Sequence, residues 1–155
     1  MKGLRKDPRH RAREAALQIL YHWEIGRTDV ASAADTFFGL QWADADGPPD
    51  DLRMFATELA HDTVRHLDQA DALIAETAER WRPERMAVLD RLILRMSATE
   101  LIRVVGTAAG QTDAAPPAVV INEALELART FSTEESVKFI NGMLDAIRKK
   151  LDQRP

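Results

Sequence analysis

Cysteine is absent from this 155-residue chain, which excludes a disulfide framework and any thiolate-held metal. That absence suits a reducing, cytoplasmic setting. Aromatics are sparse: one Tyr, three Trp and five Phe. The longest β-branched runs, Val104-Val105 and Val119-Val120-Ile121, are short and adjoin residues in helical spacing. An all-α fold is therefore expected. No apolar run approaches the ~20 residues of a membrane span. The first residues lack the apolar stretch of a secretory signal. No Gly-rich phosphate loop is present, and Ser32, Ser97, Ser132 and Ser136 lie in no nucleophile motif. Acid pairs such as Asp50-Asp51 and Glu134-Glu135 stand where helices begin, and there negative charge favours the dipole. Nothing in the sequence requires catalysis or a cofactor.

What is present is positive charge gathered at one end. The first thirteen residues hold Lys2, Arg5, Lys6, Arg9, Arg11 and Arg13 against one acid, Asp7, in a chain of formal net charge −4. From Asp29 to Glu79 there are twelve acids and two bases, Arg53 and Arg65. Such polarity steers a polyanion toward the basic end. Nucleic-acid phosphates fit that end, because each Lys or Arg that meets one releases a condensed counterion. A solvated basic tail with no ligand would show the same run.

Apolar spacing and punctuation predict the helices. Asp7-Pro8 starts the first, which runs to Ile25 and is ended by Gly26. Ala12, Ala16, Ile19, Leu20 and Trp23 form its core stripe. A second helix is expected from Val30 to about Leu40, and a third from Asp50 with Leu52, Phe55, Leu59, Thr63 and Leu67 in step. A short one follows, to Trp81. Pro83 opens the longest apolar helix, with Met86, Leu89, Ile93, Met96 and Leu101 inward and Gly106 as its stop. Residues 106–117 read as a Gly/Ala/Pro loop and candidate hinge. Helices over Ala118–Phe131 and Thr133–Leu151 close the chain, and Ser132 with Glu135 resembles a capping box.

Two aromatics stand off these core stripes. His10, Glu14, Leu17 and Tyr21 form a row on the first helix, flanked by Arg13 and Arg11. Arginine and an amphipathic ring on one helix suit a single strand, which offers phosphates and unstacked bases. Tyr21 could equally pack under a neighbouring helix. On the last helix Phe139 lies roughly 120° from the row Val137, Ile140, Leu144, Ile147 and Leu151. Its flank is Glu135, Gly142 and Ala146, with Lys138 and Asn141 beside it. That flat strip either admits a neighbouring helix or presents Phe139 to a ligand. A metal-dependent phosphohydrolase site at His61, Asp62 and His66 is a further alternative, although His61 and His66 fall on different helix faces. A protein–protein adaptor whose arm binds an acidic partner is another.

Four segments in order resemble the NusB family of bacterial transcription antitermination factors. They are Arg9-His-Arg-Ala-Arg-Glu14 continuing to Tyr21, Asp90-Arg-Leu-Ile-Leu-Arg95 with Glu100-Leu101, Val120-Ile-Asn-Glu-Ala-Leu-Glu-Leu-Ala128, and Lys138-Phe-Ile-Asn-Gly-Met-Leu-Asp145. The resemblance implies a compact domain of about seven helices in two packed three-helix halves, here near 8–80 and 83–151. It implies a non-enzymatic protein that binds boxA-type single-stranded RNA together with the ribosomal protein NusE. These act with other Nus factors on RNA polymerase, chiefly in ribosomal RNA operons. Matched by position, the RNA-facing residues are Lys2, Arg5, Lys6, Arg9, Arg11, Arg13, Tyr21, Glu135, Lys138, Phe139 and Asn141. Glu84, Asp90 and Arg95 are expected to face NusE. An uncovered heterodimer surface would also allow weak self-association. His10 stands where a third consecutive Arg is common in the family, and the 106–117 loop is longer than usual. A NusB-like domain attached to a methyltransferase would need a Rossmann domain, for which this chain has no room.

Overall fold

The computed structural model describes residues 7–42, 44–78, 82–105 and 115–153. Lys2, Arg5, Lys6, Trp81 and residues 106–114 of the expected hinge lie outside them. Among the described residues the regular structure is entirely helical: α1 (Pro8–Gly26), α2 (Val30–Thr36), α3 (Asp50–Arg65), α4 (Leu67–Thr77), α5 (Val88–Val105), α6 (Pro117–Phe131) and α7 (Glu134–Asp152). None of these helices is long and apolar enough to cross a membrane. The chain divides into two compact units, one ending at Arg65 and the other beginning at His66.

The first unit packs α1 against α3 and α2. Asp7 caps α1 by accepting the Arg9 N–H at 2.8 Å, and Pro8 takes the first helical position. Ala12, Ala15, Ala16, Leu17, Ile19 and Leu20 are buried on α1, and Leu52, Ala56, Leu59 and Ala60 on α3. The alanines let these two helices approach closely. Each buried Leu or Ile adds about 1.5–3 kcal/mol, so Leu20→Ala would cost about 2–5 kcal/mol. The left-handed residue after α1 is Arg27, at φ 53°, rather than the expected Gly26. Asp29 caps α2 by accepting the Ser32 N–H at 2.8 Å, and that bond followed by the Ser32 hydroxyl holds its carboxyl below the usual range. After Thr36 the helix widens into a π turn, Phe37–Gln41, closed by Trp42 N–H on the Phe37 carbonyl at 3.1 Å. Phe37, Phe38 and Trp42 stack edge to face or tilted there.

The second unit is built round α5, which packs on α4, α6 and α7. Leu92 through Leu101 are all buried, so the middle of this helix is enclosed on every side rather than on one stripe. Met86 and Leu89, expected inside, are only half-buried. Pro83–Arg85 form a separate 3₁₀ turn, tied to α5 by the Arg91 guanidinium donating to the Pro83 carbonyl at 2.7 Å. The buried row of α7 is Val137, Ile140, Leu144, Ile147 and Leu151, as its spacing predicts, joined by Met143. Its cap differs from expectation: Thr133, not Ser132, accepts the Ser136 N–H, at 3.1 Å. Helix α4 packs with α5 and α7. The boundary between units therefore falls at Arg65–His66, before α4 and not near Pro83.

Candidate nucleic-acid interface

In the first unit, the start of α1 lays its arginines on aromatic rings. Arg9 and Arg13 are one helical turn apart and so share a face. Both stand over Phe55 of α3, with the guanidinium carbons 4.2 and 5.3 Å from the ring centroid. Cations over a ring face at such distances are held by its quadrupole. Arg9 is exposed, whereas Arg13, expected beside it at the phosphates, is buried at 4% exposure. Arg11 projects to another side of α1. It lies 4.6 Å over the Trp42 ring and pairs with the Asp44 carboxylate at 3.0 Å.

The expected row beyond the arginines is only partly presented. Leu17 is fully buried. His10 turns toward Glu14 at 3.4 Å, with both side chains largely covered, so the residue at the family's arginine position does not face solvent as a free arm. Tyr21 is the row's exposed member, 40% accessible, and Ile25 follows it one turn on. Both bases of the acidic segment are spoken for, Arg53 by Asp35 at 3.1 Å and Arg65 by Asp62 at 2.9 Å.

In the second unit, Glu135, Lys138, Phe139, Asn141 and Gly142 form an exposed strip along α7. Phe139 is 45% accessible. A Cβ placed on Gly142 would meet no atom within 4 Å, so no helix packs tightly on the strip there. Behind it, the corner between α6 and α7 is pinned to α5. Ser132 and Ser136 donate their hydroxyls to the two Asp90 oxygens at 2.5 and 2.6 Å. Asp90 and Arg95, expected at a partner surface, are each 8% exposed. Arg95 makes a two-pronged bond to Asp71 at 2.8 and 3.0 Å, the planar match that guanidinium and carboxylate favour. Glu84, in the turn before α5, is exposed.

Sequence reading missed Phe55, Trp42, Asp44 and the two serines. Spacing alone places Phe55 on the core stripe of α3, and only its ring face opposite an arginine pair marks it otherwise. The helical spacing of Arg9 and Arg13 was visible, but the helix they would lie against was not. His61, Asp62 and His66 form no metal site: among the described residues no group of three or more His, Asp or Glu could hold an ion.

These features define a class: an all-helical protein whose distinctive surfaces are arginines on rings and exposed aromatics. The model of the NusB family matches residues 10–149. The transcription antitermination protein NusB of Solibacter usitatus is 42% identical over 145 residues, covering 94% of this chain and 91% of that protein. Among solved structures, NusB of T. maritima superposes with a TM-score of 0.76 at 31% identity, covering 94% of each chain. A crystal structure of antitermination factors NusB and NusE in complex with dsRNA matches with a TM-score of 0.73 at 24% identity, over 92% of this chain and 97% of that one. This chain belongs to the NusB family, a family of transcription antitermination factors and not of enzymes.

Proposed function

We propose that this protein is a cytoplasmic transcription antitermination factor that binds boxA-type single-stranded RNA together with ribosomal protein NusE. Phosphates are met by Arg9 and Arg11, with the basic residues Lys2, Arg5 and Lys6 preceding them. Arg13 supports that grip from the interior. Tyr21 and Phe139 offer ring faces to bases, Lys138 a cation, and Glu135 and Asn141 acceptor and amide groups for base edges. Glu84 faces NusE directly, while Asp90 and Arg95 fix the helix behind it. The joined proteins act with RNA polymerase and other Nus factors on ribosomal RNA operons.

The observation that supports this reading best is the α7 strip, where an exposed Phe139 lies beside Lys138 and Asn141 on a surface no helix covers tightly. A gel-shift series with this protein, its cognate NusE and a boxA oligonucleotide tests it. Expected is weak binding alone and at least tenfold tighter binding with NusE, because two modest surfaces held together act at high effective concentration. A duplex of the same sequence should compete poorly. No RNA binding with NusE present would leave the protein–protein adaptor instead.

A further inference from the structure

We propose that Phe55 is a positioning residue for RNA binding, its ring holding the Arg9 guanidinium in place for a phosphate. This rests on the RNA-binding reading above. Arg9 is exposed, and an exposed arginine is a long side chain whose freedom is lost when it docks. Here that freedom is already curtailed. The Arg9 guanidinium carbon stands 4.2 Å from the Phe55 centroid. Asp7, the nearest acid in sequence, is bonded to the backbone N–H of Arg9. Among the described residues, the ring is the group that meets the guanidinium itself. Stacking uses the flat face of the guanidinium and leaves its edge N–H groups for phosphate oxygens.

Arg13 completes the arrangement. It lies over the same ring at 5.3 Å and is 4% exposed, so it is fixed in the interior while Arg9 faces outward. Phe55 stands on α3, inside the acidic segment and away from the basic arm in sequence. Without the ring, Arg9 would keep its charge and lose its orientation.

The test compares boxA affinity across salt concentrations for full-length wild type, Phe55→Leu, Phe55→Tyr, Phe55→Trp and Arg9→Ala, each with NusE. Phe55→Leu should bind about two- to fivefold more weakly, the range of an exposed cation–ring contact, with the salt slope unchanged. Phe55→Tyr and Phe55→Trp, which keep a ring face, should stay within about twofold of wild type. In the Arg9→Ala background, Phe55→Leu should have no further effect. Thermal melts screen each variant, and Phe55→Met replaces Phe55→Leu if the latter does not fold. Equal loss with and without Arg9, or no rescue by Tyr and Trp, makes Phe55 a packing residue and overturns the proposal. Failure of wild type to bind RNA would instead overturn the RNA-binding reading itself.

Discussion

The Asp90 carboxylate accepts the Ser136 hydroxyl at 2.6 Å, joining the start of α5 to the first turn of α7. Its other oxygen accepts Ser132 at 2.5 Å, so one acid sets the corner that leads into the exposed α7 strip. Such charge-assisted bonds are about twice as strong as neutral ones. Asp90→Ala leaves both hydroxyls without their acceptor and should cost about 2–4 kcal/mol in urea denaturation. Asp90→Asn, which still pairs with both serines, should cost about 1 kcal/mol. Equal stability of Asp90→Ala and wild type would show that the corner holds without this acid.

Arg27 carries a left-handed backbone, φ 53°, immediately after α1. A side chain there costs roughly 1–2 kcal/mol, while glycine's added freedom in the unfolded chain returns about 0.4–1 kcal/mol of that. Arg27→Gly should therefore stabilise the protein by about 0.5–1 kcal/mol. A lower melting temperature for the variant would mean that the Arg27 side chain matters more than its backbone.

If Arg11 meets a phosphate, as proposed, Asp44 is its competitor. Their pair is 3.0 Å long and partly solvated, with side-chain exposures of 38% and 54%, so removing it costs at most about 1 kcal/mol of stability. Asp44→Asn frees Arg11 for a phosphate. Binding to boxA RNA should tighten at low salt, and its salt slope should steepen by about 0.7, one phosphate's worth on a single strand. Unchanged affinity and slope would place Arg11 outside the interface.

Gly142 sits in the interior of α7 with open space where a Cβ would be. Gly142→Ala should raise stability by about 0.5–1 kcal/mol. If RNA lies along the strip, the same change should weaken binding while the melting temperature rises. An Ala variant that is more stable and binds as well would put the RNA elsewhere on α7.

The outer helices were legible because each has a buried and an exposed face. The α7 row from Val137 to Leu151 and the Asp7-Pro8 start of α1 read directly from spacing and caps. Helix α5 was half legible, since burial on all sides erases the stripe. The division at Arg65–His66 carries no Gly or Pro to mark it, whereas Pro83 is a strong breaker inside the second unit. Ser132 and Thr133 both suit a cap, and what separates them is Asp90, forty-odd residues earlier, drawing the Ser132 hydroxyl away. For the candidate interface, residue types were visible but exposure was not. Tyr21 and Phe139 emerged at the surface, while Arg13 and Leu17 went inside.

Phosphate binding by Arg9 is read out by the salt dependence of boxA RNA affinity, with NusE present, for wild type and Arg9→Ala. Log affinity should fall linearly with log salt for both, and Arg9→Ala should be weaker with a slope shallower by about 0.7. Identical slopes, or binding indifferent to salt, would contradict it.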